Sequence, residues 1–202
     1  MRSLRAIVLA CLCGAAGTAY GQGLEVSLSA GAGVFKDKGL GDLAVGDVLR
    51  QSLKLENGVR ISVRMDINSW KFFGHELTYG YNHTNLVFGD QGKTGMNIHQ
   101  FSYDFLVHAL PEGSSVRPFL CGGGGFSAFF PPGTSAFSGN GVNKFGFNYG
   151  GGVKVKLGPI YGFRFDMRDY VTGKPFDQKF GVFNTRGLLH NIETSVGIAI
   201  FF

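Results

Sequence analysis

Residues 143–157 read NKFGFNYGGGVKVKL. Phe145, Phe147, Tyr149, Gly151, Val153, Val155 and Leu157 alternate with Lys144, Gly146, Asn148, Gly150, Gly152, Lys154 and Lys156. Alternation of this kind marks a β-strand, whose successive side chains point to opposite faces. Two arrangements fit one such strand. In a water-soluble sheet the aromatic face meets a core and the glycine and lysine face meets water. In a closed transmembrane barrel the aromatic side chains meet lipid and the small polar face lines the lumen.

Working outward from this strand, the same alternation recurs in eight segments, near 24–35, 53–67, 72–88, 96–110, 117–130, 143–157, 160–172 and 188–202. Several are longer than the five to six residues typical of soluble strands, about the length of a tilted membrane crossing with extensions. The connections after the first, third, fifth and seventh segments are KDKGLGDLAVGDVLRQS, GDQGKTG, FPPGTSAFSGNG and GKPFDQKFGVFNTRG. Those after the second, fourth and sixth are NSWK, PEGSSV and GP. Long and short connections alternate, as expected of a barrel with longer extracellular loops and short periplasmic turns. Beyond the N-terminal segment no stretch reaches about 18 consecutive apolar residues, which argues against a helical membrane protein.

Both ends of the sequence fit export. Arg2 and Arg5 precede an apolar run from Ala6 to about Ala16, followed by small residues up to Gly21. This is the layout of a secretory signal peptide over residues 1–21, with cleavage after Gly21 or after Ala19. Its removal takes two arginines and no acids, lowering the formal charge from +5 to +3. The remaining cations are scattered, so no nucleic-acid footprint is present. Of three cysteines only Cys121 would remain, so no intramolecular disulfide forms, and Cys121 reads as a small strand residue. The sequence finishes NIETSVGIAIFF, placing Ile192, Thr194, Val196, Ile198, Ile200 and Phe202 on one face.

Charge completes the pattern. Val59, Ile61, Val63 and Met65 oppose Arg60, Arg64 and Asp66; Leu77, Tyr79 and Tyr81 oppose Glu76, Thr78 and Asn82. Phe101, Tyr103, Phe105 and Val107 oppose Gln100, Ser102 and Asp104; Tyr161, Phe163, Phe165 and Met167 oppose Arg164, Asp166 and Arg168. With the polar faces inward, a narrow barrel encloses Arg60, Arg64, Lys154, Arg164 and Arg168 together with Glu76, Asp104, Asp166 and Glu193. Both signs are present, so the charges can pair in a lumen that eight strands leave just wide enough for side chains. The expected fold is therefore all-β, an eight-stranded antiparallel transmembrane barrel over residues 22–202.

The signal peptide, GVRISVRMDI, FGFNYGGGVKVKLGPIYGFRFDMRDYV and the terminal SVGIAIFF together resemble the OmpA-like family of outer-membrane β-barrels. Ser195, Gly197, Ile200 and Phe202 match the C-terminal signature that the barrel-assembly machinery recognises in such proteins. The resemblance implies an outer-membrane location, contact with its lipids, and a structural or surface-interaction role through the loops at 36–52 and 173–187. A narrow or gated pore is the variant of that role in which the lumen charges form a path. The peptidoglycan-binding domain of some members is not expected here. Fold alone does not choose among these roles.

No cofactor, metal or catalytic set is expected. The sequence has no Walker loop, HExxH, CxxC pair or GxSxG. CGGGGF at 121–126 reads as a strand packed too closely for side chains. His75, His83, His99, His108 and His190 read as surface or rim residues. Two alternatives remain: a lipid-modifying enzyme using His83 and Thr84, and an exported lipocalin-like binder whose apolar face lines a cavity.

Overall fold

The computed structural model describes residues 23–36, 38–45, 49–89, 92–131, 141–176, 182–183 and 186–202. The leader assigned to residues 1–21 lies outside them. The strands are β1 (Leu24–Lys36), β2 (Gly39–Val45), β3 (Leu49–Leu55), β4 (Gly58–Trp70), β5 (Phe73–Phe88), β6 (Lys93–His108), β7 (Val116–Phe130), β8 (Val142–Lys156), β9 (Tyr161–Gly173), β10 (Val182–Phe183) and β11 (Leu188–Phe201).

Eight of them, β1, β4, β5, β6, β7, β8, β9 and β11, form the wall, each antiparallel to its neighbours. Closure is made by β1, which pairs with β4 on one side and with β11 on the other. Hydrocarbon offers no partner to a free backbone N–H or C=O, so only such closure is viable in lipid. The stagger can be read from the pairings. From Ala30, one circuit runs through Ile61, Tyr81, His99 and Ala128 to Asn143. The opposite circuit runs through Val196 and Phe165 to Val153, ten positions further along the same strand. A stagger of this kind tilts the strands by roughly 35–45°.

The alternation read from the sequence sorts the side chains. Val59, Phe145, Met167 and Val196 on the outer face are all more than half exposed, whereas Arg60, Arg64, Arg164 and Glu193 on the inner face have no accessible surface. Phe101 and Phe126 stack across β6 and β7, adding to an outer surface suited to lipid.

Three features depart from the sequence reading. The stretch 36–52, read as a polar loop, carries the hairpin β2–β3, and the expected segment 53–67 is broken. Leu53–Leu55 end β3 alongside Leu86–Phe88 of β5, and β4 then begins at Gly58 and takes over the pairing with β5. Asn57 fixes the break, its Oδ1 accepting from the Phe35 backbone N–H at 3.3 Å.

Second, the interior is not polar throughout. Toward the loop end, Phe35, Leu86, Met96, Ile98, Phe129 and Leu189 turn inward and pack with Leu40, Leu53, Leu55, Phe176 and Val182 from the connecting segments. This is an apolar core like that of a soluble domain, seated in the mouth of the barrel. Strand β10 closes over it by pairing with β2.

Third, only half of the CGGGGF glycines pack inside. A Cβ on Gly123 or Gly125 would collide with the carbonyls of Tyr103 or Phe101, while Gly122 and Gly124 share the outer face of Leu120 and Phe126 and have room.

Candidate functional site

The lumen below the apolar core is filled by charge. Arg60 and Arg64 come from β4, Glu76 from β5, Asp104 from β6, Lys154 from β8, Arg164, Asp166 and Arg168 from β9, and Glu193 from β11; each is at most 2% exposed. Spacing of two along a strand puts Arg164, Asp166 and Arg168 on one face. Register then brings Glu193 beside Arg168 and Asp66 beside Glu76.

The contacts form one continuous column. Arg60 Nε lies 3.0 Å from Glu193 Oε2, and Arg64 also pairs with Glu193. Arg64 reaches Glu76 at 3.8 Å and Asp166 at 3.9 Å. Arg168 bridges Glu76 at 2.6 Å, Asp104 at 3.1 Å and Asp166 at 2.9 Å. Arg164 holds Asp166 and Asp66, each at 2.8 Å, and pairs with Glu76. A neutral group adds to the column: Tyr170 donates its hydroxyl to Glu193 Oε2 at 3.1 Å, and its ring lies under the Arg60 guanidinium at 4.4 Å.

Two carboxylates of this column, Glu25 and Asp66, were not assigned to it from sequence. Both pair with Lys154, and Arg164 reaches Glu25 at 3.5 Å. Asp66 had a signal, since it shares the face of Arg60 and Arg64; Glu25 opens its strand, where alternation has barely begun. Arg117 is a third addition, 4% exposed. Among the described residues the lumen thus holds Arg60, Arg64, Arg117, Lys154, Arg164 and Arg168 against Glu25, Asp66, Glu76, Asp104, Asp166 and Glu193, an equal number of each sign.

The remaining sequence candidates divide by face. Ser195 points inward and donates to Glu193 Oε1 at 2.7 Å, and Gly197 packs against Ser29; Ile200 and Phe202 point outward. His83 and Thr84 lie on opposite faces: His83 contacts Asn97 Oδ1 outside at 2.7 Å, while Thr84 is buried and donates to the Glu56 carbonyl. Neighbouring strand residues cannot form a nucleophile and base pair across the wall. His108, read as a rim residue, is buried inside against the Phe119 ring, because it shares the inward parity of Asp104 and Leu106. His75 and His99 face outward, each within 2.7 Å of a tyrosine hydroxyl, of Tyr103 and Tyr79. On the outer wall His190 Nδ1 and the Tyr149 hydroxyl both contact Asp169 Oδ2, at 2.7 and 3.0 Å. Beyond the wall strands, Glu56 accepts from Asn85 Nδ2 at 2.8 Å, which, with Lys93 nearby, holds its carboxyl below its ordinary pKa. No cluster of three metal-ligating side chains occurs among the described residues.

Chemically, the arrangement is a stopper in two layers, ionic below and apolar above. Two cavities border it, of about 40 Å³ at the turn end and about 10 Å³ beside Gln100 and Tyr170. The smaller has room for about one water.

A family model described as outer membrane protein beta-barrel domain matches residues 6–197. Among solved structures the chain is similar to Neisserial surface protein A, with a TM-score of 0.59 at 13% identity over 90% of this chain and 99% of that one. It is also similar to the outer membrane protein OprG from Pseudomonas aeruginosa, with a TM-score of 0.57 at 10% identity over 90% and 96%. The outer membrane protein AlkL in lipid bilayers gives a TM-score of 0.53 at 16% identity over 90% and 89%. At these identities the likeness is one of fold. No curated protein matches the sequence.

Proposed function

Because this chain belongs to the outer membrane protein beta-barrel domain family, we propose that it is a sealed outer-membrane scaffold that presents its loop-end elements to the cell exterior and conducts no solute. The observation that carries this reading is the two-layer filling of the lumen. An ion entering from outside would first have to part the packed core of Phe35, Met96, Ile98 and Phe129. It would then have to displace guanidinium groups that each hold two or more carboxylates. Breaking one partner out of such a buried set costs about 3–5 kcal/mol. The charge column then acts as internal bracing, tying β4, β5, β6, β8, β9 and β11 across the barrel axis. The surface role falls to the hairpin β2–β3 and to the segments 36–52 and 173–187 as the contact region for an extracellular partner. The outward Ile200 and Phe202 at the turn end suit a handle for the assembly machinery.

The test is conductance. Protein refolded into planar bilayers, with its compact form verified by a gel shift that appears only on boiling, is expected to give no current steps above the bare membrane. Reproducible steps from correctly folded protein would overturn the sealed reading and make the lumen charges a path.

A further inference from the structure

Strand β7 turns two bare glycines, Gly123 and Gly125, to the lumen, because a Cβ there would meet the carbonyls of Tyr103 and Phe101. Among the described residues no ion pair reaches this strand, although the charge column ties both of its neighbours, β6 through Asp104 and β8 through Lys154. The middle of β7 thus lacks the ionic bracing that the strands on either side receive. Beside it lies the cavity of about 10 Å³, lined by the side chains of Gln100 and Ser102 from β6, Ser127 from β7, Asn148 from β8, and Tyr170 and Thr172 from β9. All six are neutral and carry hydrogen-bonding groups.

Several of these groups are already engaged. Gln100 Nε2 donates to Ser127 Oγ at 3.0 Å and Gln100 Oε1 accepts from Asn191 Nδ2 at 3.3 Å, while Ser102 donates to Asp104 Oδ2 at 3.0 Å and Tyr170 to Glu193. Asn148 is the exception. It is 2% exposed, yet neither its Nδ2 nor its Oδ1 makes a hydrogen bond of normal length and angle among the described residues. Across Gly123 from it, Asp104 Oδ1 is in the same condition. A buried amide left unmatched bears its full desolvation cost, so such groups in folded proteins are met by protein or by ordered water.

We infer that this cavity is the site of one structural water, bonded to the Asn148 amide and to the Ser127 and Thr172 hydroxyls, which cross-links β7, β8 and β9 where the glycines of β7 cannot. The volume admits about one water, and three polar partners are what a buried water typically has. Ser127 keeps its own proton to give, since its oxygen accepts from Gln100. A neutral lining offers an ion no counter-charge, so the guest is water. The site lies where the two layers of the stopper meet: Ile98 and Phe129 of the apolar core stand two positions loopward of Gln100 and Ser127 on the same inner face. This goes beyond the sealed-scaffold reading and does not depend on it, since a bound water is read by diffraction and relaxation and not by current.

The test has two arms on the refolded protein in detergent. A crystal structure at a resolution that shows ordered water is expected to place one density peak within hydrogen-bonding distance of the Asn148 amide and of at least one of the Ser127 and Thr172 hydroxyls. An unfilled cavity, or the Asn148 amide turned onto Asp104 with the cavity closed, overturns the site. Magnetic relaxation dispersion of isotope-labelled water then compares the unaltered protein with Asn148→Leu, which keeps the volume and removes both polar atoms. The variant is expected to lose one long-lived water, and its amides from Gly123 to Ser127 are expected to exchange about tenfold faster, the size of one lost hydrogen bond, while those of β4 keep their protection. An unchanged count of long-lived waters in folded Asn148→Leu also overturns the site. If that variant does not reach the heat-resistant compact form, the crystal structure of the unaltered protein decides alone.

Discussion

Arg164 touches Glu25, Asp66, Glu76 and Asp166 at once. Its replacement by alanine strands several buried carboxylates away from bulk solvent, and it is expected to cost about 3–5 kcal/mol in reversible urea unfolding. Lys93, 61% exposed and 3.4 Å from Glu56, offers the contrast: Lys93→Ala should cost at most about 1 kcal/mol in the same assay. The glycines of 121–126 give a second residue-scale contrast. Gly125→Ala drives a methyl group into the Phe101 carbonyl and is expected to destabilise by about 1–3 kcal/mol. Gly124→Ala points into lipid and should stay within about 0.5 kcal/mol, the usual range for an uncrowded surface change. A similar loss in both variants, measured by urea midpoint, would mean that parity does not set the cost.

At the scale of elements, alternation was enough to place Arg60, Arg64, Arg164, Asp166 and Arg168 on one face, because period two is a local property of the extended chain. It could not say where along a strand the interior changes character. Met96 and Ile98 share the parity of Gln100, Ser102 and Asp104, yet they meet Leu40 and Leu55 instead of charge. That change is set by the hairpin β2–β3 folding back over the mouth, a contact between distant parts of the chain that no local pattern records. Arg117 escaped notice for a related reason. It follows a turn and precedes Pro118, so its inward direction depends on pairing with Lys154 in β8. The apolar layer also makes a prediction of its own. Met96→Ala empties space in the cap and is expected to cost about 2–5 kcal/mol locally. Hydrogen exchange should then quicken in β2, β3 and the loop-end turn of β5, while the amides of β9 and β11, braced by the charge column, keep their protection.

For the molecule as a whole, the proposed sealed scaffold has two closures in series, and each resists a different perturbation. The ionic column depends on charge states; the apolar cap depends on packing and is indifferent to salt. Disturbing one layer should therefore leave the barrel sealed by the other. Arg164→Ala and Met96→Ala, each alone, are expected to stay silent in planar bilayers, and their combination is the variant in which current should first appear. Current from either single variant would show that one layer carries the seal by itself.

The seam between β1 and β11 has a further consequence. The Phe202 amide donates to the Leu24 carbonyl at 2.8 Å, so the first and last strands lie side by side with their ends touching. Seen around the ring, no strand is structurally first, and the linear order of the chain is only the place where a circle has been cut. A circular permutant that joins the end after Phe202 to Gly23 through a short glycine and serine linker, and opens new ends between Gly158 and Pro159, should refold in detergent to the same heat-resistant compact form. If it does not, the order in which strands arrive, and not only their final pairing, is part of what this sequence encodes.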